Sequence, residues 1–313
     1  MFARAKLQLP ATSQRLLVSI GLGLVDFVEA LGALKTIRAA FPGARITGLV
    51  GPACADLAKL CPYLDFAEAC APLDGSKAKS IDVQRLRASN FDLALVVDGG
   101  VGLGPMAGKI APKAQIAAVA SAHPNRLTAL DEGLSIYGLP RPFAPELGWV
   151  RQRLRDPPRL QPSFYNLPTS YLLLAPSTNA PSPPAMVDFF RVAIERALRQ
   201  GQGVAVVGSG LEHGIGAMLG REDRRVLNLC ARADVTQIIS LIERAAFVLG
   251  DDAFALSVAR IFGKRGAMMA AADAQVDAFP GAGAVCLLRA PAAAPSPALA
   301  DAFRRTLSSF NLA

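Results

Sequence analysis

Arg15–Pro52 reads RLLVSIGLGLVDFVEALGALKTIRAAFPGARITGLVGP, and this stretch sets the fold class. Arg15–Ile20 is a short apolar run with β-branched residues, as a buried strand requires. The turn Gly21-Leu22-Gly23 ends it. From Asp26 to Ala40 the apolar positions Phe27, Leu31, Leu34, Ile37 and Ala40 recur at three and four, the spacing of one helix face. Phe41-Pro42-Gly43 stops that helix. Arg45–Val50 is again strand-like and ends at Gly51-Pro52. Strand, helix and strand in this order form the unit of a parallel sheet.

The alternation continues outward. Ala53–Leu60 suits a short helix, Phe91–Val97 a buried parallel strand, Pro105–Ile110 a helix and Ala114–Val119 a strand. Leu139–Pro168 breaks the pattern with proline and arginine. Beyond it the same grammar restarts. Tyr171–Ala175, Gly203–Val207, Val226–Leu229 and Phe247–Leu249 read as strands. Met186–Gln200, Asp234–Ala245 and Ala253–Phe262 read as helices, and Ser296–Phe310 looks helical. The expectation is an α/β protein of two Rossmann-like parallel-sheet domains facing across a cleft. Residues 1–150 form the first domain, 151–168 a linker and 169–313 the second, whose last helix can pack back on the first.

Composition narrows the function classes. The chain has 313 residues, 52% of them hydrophobic, enough for two cores. No apolar run approaches the ~18 residues that span a bilayer, and no signal peptide is read. The expected location is cytoplasmic. The five cysteines (Cys54, Cys61, Cys70, Cys230, Cys286) contain no CxxC pair and read as free thiols in a reducing compartment. The two histidines, His123 and His213, are far apart, so no zinc set assembles. A net charge of +8 suits an acidic partner. The basic residues are dispersed without aromatic interleaving, which argues against nucleic acid and for an anionic glycan or glycolipid. Arg141, Arg151, Arg153, Arg155 and Arg159 flank the linker and suit an anionic membrane surface or a phosphorylated lipid-linked glycan; a solvated charged linker explains them equally well.

The order of segments resembles glycosyltransferase family 9, the lipopolysaccharide heptosyltransferases. Val25–Leu34 followed by Phe41-Pro42-Gly43-Ala44 is similar to that family's G-D-x-x-x-x-x-P-A-L and F-P-x-A. ITGLVGP at Ile46–Pro52, CPYLDFAEA at Cys61–Ala69, FDLALVVDGG at Phe91–Gly100 and HPNRLTALDEGLSIYGLP at His123–Pro140 fall at similar offsets. In the second half, GVAVVGSG at Gly203–Gly210 with Glu212 resembles the strand and turn near the donor nucleotide. Val226–Ala245 resembles N-L-x-G-x-T-x-x-x-x-x-x-L-I-x-x-A. Gly250–Lys264 (GDDAFALSVARIFGK) resembles G-N-D-S-G-P-M-H-L-A-A-A-L-G-K. The resemblance covers most of the chain. It implies the GT-B fold, a nucleotide-sugar donor with ADP-heptose as the usual one, no further cofactor and no metal.

It also assigns residues. Asp26 takes the place of the proposed base, which accepts a proton from the acceptor hydroxyl as that hydroxyl attacks the donor's anomeric carbon. A carboxylate at a helix N-terminus is favoured in its ionised form, and a plain helix cap is the competing structural reading. Gly21 and Gly23 border the acceptor, although most such turns only pack a helix on its strand. The donor diphosphate is expected at helix N-termini near Ser177, Thr178, Gly208, Ser209, Glu212, Asp251, Asp252 and Ser257. Asp98, Asp251 and Asp252 hold a cation only if they converge.

Departures are concentrated in the donor motif. Phe254, Ala255 and Ser257 replace the family's Gly, Pro and His. Asn179–Pro184 lacks the usual basic residue, and Ala231 and Ala233 replace Gly and Thr. A cation opposite the leaving diphosphate would stabilise its developing charge. Arg260 and Arg265 could supply that charge, or be solvated surface; His213 could reach a phosphate, or be incidental. Lys264 reads as closing a helix turn. Two functions stay open: a glycosyltransferase moving a heptose-like sugar to a cell-envelope glycan such as lipopolysaccharide core, and a catalytically inactive relative serving binding or assembly. Another two-domain binder of nucleotides or glycans stands behind them.

Overall fold

The computed structural model describes residues 9, 12–70, 83–97, 103–111, 113–118, 126–177, 184–221, 223–271 and 285–290. The chain divides into two compact units, Met1–Trp149 and Val150–Ala313.

The first unit runs β1 (Arg15–Gly21), α1 (Leu24–Ala40), β2 (Arg45–Val50), α2 (Ala55–Leu60), β3 (Phe66–Ala69), α3 (Val83–Arg87), β4 (Leu93–Val96), α4 (Gly104–Ile110), β5 (Gln115–Ala118) and α5 (Arg126–Ile136). The strands form one parallel sheet in the order β3-β2-β1-β4-β5. β1 sits at its centre, and Leu16, Leu17, Val18 and Ile20 are fully buried. α1 is buried on most of its circumference, from Phe27 through Ile37. The segment after α5 straps this helix. The Phe143 amide donates to Thr36 Oγ1 at 3.1 Å, and Gly32 leaves room for the Phe143 carbonyl. Glu146 takes Lys35 Nζ at 2.9 Å and the Tyr63 hydroxyl at 2.6 Å.

The second unit begins within α6 (Trp149–Leu154) and continues β6 (Tyr171–Ala175), α7 (Pro184–Arg199), β7 (Gly203–Val206), α8 (His213–Leu219), β8 (Val226–Asn228), α9 (Val235–Arg244), β9 (Phe247–Gly250), α10 (Ala253–Ile261), β10 (Gly266–Ala271) and β11 (Val285–Ala290). Its six strands are parallel in the order β11-β10-β9-β6-β7-β8. Counted from β6 as first, this is the Rossmann order 3-2-1-4-5-6. The core on one face gathers Leu172, Leu174, Phe189, Phe190, Val204, Val206, Phe247 and Leu249.

The proline- and arginine-rich stretch carries α6 and two 3-10 turns, at Pro158–Leu160 and Pro162–Tyr165. It is bonded to α9. Arg151 pairs with Glu243 at 2.7 Å, Arg244 with Asp156 at 3.0 Å, and Ser240 Oγ donates to the Leu160 carbonyl at 2.9 Å. The helix expected at Ser296–Phe310 lies outside the described residues.

Several elements escaped the pattern reading. β3 is four residues of half-exposed edge strand. α8 is glycine-rich, and β10 is alanine- and methionine-rich, a composition without strand signature. α1 begins at Leu24, two residues earlier than expected, with Gly23 as its N-cap. Asp26 is therefore the third residue of the first turn rather than the cap itself.

Candidate functional site

In doubly wound sheets, ligands settle beyond the carboxyl ends of the strands, where the strand order reverses. That reversal lies between β1 and β4 in the first unit and between β6 and β9 in the second. Most of the expected site residues that the structure describes fall at these strand ends.

In the first unit β1 ends at Gly21, with φ +133°, a conformation L-residues avoid. The chain turns through Leu22 and Gly23 into α1. Asp26 Oδ2 accepts the amides of Leu22 at 3.1 Å and Gly23 at 2.9 Å. A Cβ on Gly21 would lie 2.5 Å from Asp26 Cβ and 2.9 Å from its carboxylate. The glycine thus makes room for the aspartate of the same turn. Gly51 is needed for a similar reason: its amide donates to the Gly21 carbonyl at 2.9 Å, and the Leu22 carbonyl occupies the place of its missing side chain. Beneath the turn, Cys54 Sγ lies 3.8 Å from the Leu22 carbonyl. Burial and the nearby Asp26 charge push its thiol pKa up to about 12, so it stays a thiol. Asp26 itself is half-buried.

In the second unit the ends of β6 and β9 are tied together. Asp251 Oδ1 accepts the Ser177 amide at 2.7 Å, and the Ala175 carbonyl accepts the amides of Asp251 and Asp252. Gly250 has no side chain because Ala175 backbone fills that space. Asp252 is the N-cap of α10, its Oδ1 accepting the Ala255 amide at 2.7 Å. Burial, and next the Glu212 charge, raise its carboxyl pKa, against the pull of the Ala255 and Phe254 amides. Glu212 is 8% exposed. Its Oε2 accepts the Ser209 amide at 2.7 Å and the Ser209 hydroxyl at 2.5 Å. A Cβ on Gly208 would meet Glu212 Cβ at 2.8 Å. The β7 turn and the α10 N-terminus therefore share an acidic neighbourhood.

The remaining assignments divide. Ser177, Gly208, Ser209, Glu212, Asp251 and Asp252 lie in this neighbourhood, whereas Thr178, Asp98 and His123 lie outside the described residues. Ser257, expected among the donor-binding residues, is 0% exposed, and its Oγ is buried without a hydrogen-bond partner among the described residues. It belongs to the packing of α10, because one helical turn past the N-cap its side chain enters the interior rather than the loop. Phe254 is 7% exposed, likewise packed inward. Lys264 closes α10 through its amide, which donates to the Ala259 carbonyl at 2.8 Å after Gly263 in the left-handed region. The His213 ring lies 3.4 Å from the Cys230 carbonyl at the start of α8. Among the described residues no group of three His, Cys, Asp or Glu side chains is placed to hold a metal. No helix among them is long and apolar enough to cross a membrane. Arg141, Arg151 and Arg159 are in ion pairs with Asp131, Glu243 and Asp234.

One residue near the second site was not singled out from the sequence, and a second was noted there only as a departure from the family motif. Asn228 Nδ2 donates to the His213 carbonyl and its Oδ1 accepts the Cys230 amide, each at 3.1 Å, and Gly216 leaves room for it. The signal was its place as the asparagine of N-L-x-G-x-T. Ala231 holds φ +61° while its amide donates to the Gly208 carbonyl at 3.0 Å. Its position is the glycine of that motif.

No family model matches the chain, and no curated protein does. Solved structures do. The E. coli heptosyltransferase WaaC with ADP aligns at 16% identity over 95% of this chain and 99% of that one, with a TM-score of 0.72. A family 9 glycosyl transferase from Veillonella parvula DSM 2008 aligns at 12% identity over 99% and 92%, with a TM-score of 0.71. The E. coli ADP-heptose lipopolysaccharide heptosyltransferase II aligns at 16% identity over 95% and 98%, with a TM-score of 0.69. The fold is that of the family 9 glycosyltransferases. Within this GT-B fold, the Gly21–Asp26 turn occupies the first unit's switch point, and Ser177, Asp251 and Asp252 occupy the second's.

Proposed function

We propose that this protein is a glycosyltransferase that takes a sugar from a nucleotide-sugar donor. One observation carries the reading: a chain aligned over nearly its whole length with an ADP-bound heptosyltransferase keeps, at its first switch point, a half-buried carboxylate held by its own turn. In the proposed reaction Asp26 accepts the proton of an acceptor hydroxyl as the oxygen attacks the anomeric carbon, and the nucleoside diphosphate leaves. The amides of Leu22 and Gly23 fix the carboxylate, so little reorganisation is needed when the acceptor arrives. The donor diphosphate sits at the α10 N-terminus beside Ser177, where helix amides favour an anion. The sugar is heptose-like, with ADP-heptose the first donor to try. The acceptor is an anionic cell-envelope glycan such as lipopolysaccharide core, met at the cytoplasmic face of the inner membrane. No metal or further cofactor takes part in this scheme.

A second reading has its own observation. The α10 N-terminus is already capped by Asp252, and Glu212 stands near enough to raise that carboxyl's pKa. Two buried acids repel a diphosphate, which favours an inactive relative kept for binding or assembly. Calorimetric titration of the full chain with ADP, UDP and GDP separates the two. Saturable binding of one nucleotide supports the transferase and names its base. Absence of binding for all of them would sink it and leave the binding protein.

A further inference from the structure

The first sheet has a concave feature at its N-terminal edge, opposite the Gly21 turn. A cavity of about 340 Å³ opens there, lined by Arg15, Arg45, Thr47, Phe66, Glu68 and Arg85 around a floor of Leu86 and Phe91. That volume is in the range of small-molecule sites. It lies roughly 20 Å from the Gly21 turn, by the rise of a seven-residue strand.

We propose that this cavity binds a phosphomonoester carried on a small flat or apolar body. Arg15 and Arg45 are register partners on β1 and β2, so their side chains leave the same sheet face on strands about 4.8 Å apart. Like charges placed side by side on a sheet are destabilising unless something compensates them. The acids nearby are already engaged. Asp92 Oδ2 accepts the amides of Gln14 and Arg15, Asp65 holds Arg38 at 2.6 Å and lies near enough to Arg45 to share its charge, and Glu68 holds Arg85 at 2.7 Å. The lining thus carries three arginines against one glutamate. The guanidiniums are also oriented. Arg15 donates to the Ser89 carbonyl at 2.8 Å, and Arg45 stacks on the Phe66 ring at 4.2 Å. Contact through the guanidinium face leaves the edge donors of Arg45 for two oxygens of a tetrahedral phosphate. Thr47 stands two residues along the same face, 6% exposed, with no hydrogen bond from its hydroxyl among the described residues. Phe66 is 43% exposed and, with Phe91 and Leu86, gives the apolar wall.

Phenyl phosphate is the probe, titrated calorimetrically into the full chain with excess ADP present so that a nucleotide pocket cannot account for the heat. Saturable binding is expected, weakened about tenfold in Arg45→Gln and unchanged in Arg225→Gln, whose arginine pairs with Asp223 elsewhere. Thr47→Val repeats the test without altering charge and should also weaken binding. No saturable binding, or equal binding by wild type and Arg45→Gln at unchanged melting temperature, overturns the proposal. Co-sedimentation with phosphatidylcholine vesicles containing phosphatidic acid distinguishes the ligand's source. Retention lost in Arg45→Gln identifies a lipid headgroup; phenyl phosphate binding without retention identifies a soluble phosphate. Retention that survives Arg45→Gln is general charge attraction and counts against the site.

Discussion

The turn after β1 and the turn after β7 use one device in two surroundings. Each strand leads into Gly-x-Gly, and an acid three residues past the bonded amide folds back to accept it: Asp26 for Gly23, Glu212 for Ser209. In each, the carboxylate's side chain fills the space a Cβ would need on the first glycine. The surroundings differ. Asp26 is half-buried above a neutral Cys54 thiol. Glu212 is 8% exposed and next to Asp252. The same local chemistry therefore yields one half-buried carboxylate, which the proposed reaction uses as its base, and one that is almost fully enclosed. Burial, not motif, distinguishes the two turns.

The largest expected difference between the turns is in activity. Asp26→Asn keeps an oxygen for the Leu22 and Gly23 amides but loses the base, so turnover should fall by about 10²–10⁴ while nucleotide affinity holds. Glu212→Gln should leave turnover within a few fold. Comparable losses in both variants would erase the distinction drawn above.

Stability comes next. Gly21→Ala must place a side chain at φ +133° and against Asp26, and should cost about 2–3 kcal/mol in denaturant unfolding. Gly208→Ala meets only the Glu212 side chain and should cost about 1 kcal/mol. Equal costs would show that the β1 turn is not the more constrained.

A smaller effect sharpens the electrostatic contrast. The Asp252 pKa is raised in the folded chain, so the unfolded chain loses that proton first as pH rises. This contribution to stability is full below the ordinary carboxylate range and is lost as pH rises through the raised value. Removing the Glu212 charge lowers the Asp252 pKa, so Glu212→Gln should flatten that part of the melting-temperature profile. An unchanged profile would show that burial alone sets Asp252. The smallest effect is at Ala231. Ala231→Gly relieves φ +61° and should raise stability by about 1 kcal/mol, read as a higher denaturant midpoint. A lower midpoint would mean that backbone freedom in the unfolded chain outweighs the strain.

How far the sequence could be read follows from burial. β1, β4, β6 and β9 were legible because strands covered on both faces must be apolar throughout. β3, with its exposed Phe66 and half-exposed Glu68, and β10, rich in small residues, lack that signal. At the sites, the family resemblance and the expected helix N-termini pointed to Asp26, Asp251 and Asp252, which lie just past strand ends, and to Ser257, which lies buried in α10.

The sequence alone determined two runs of strand–helix alternation, the break at Leu139–Pro168, and the glycine turns with their following acids, because these depend on contacts a few residues apart. Only the tertiary structure decided strand order, the tie between Ser177 and Asp251, the nearness of Glu212 to Asp252, and the pairing of Arg15 with Arg45. Those relations join residues distant along the chain, and the packing of the sheets sets them.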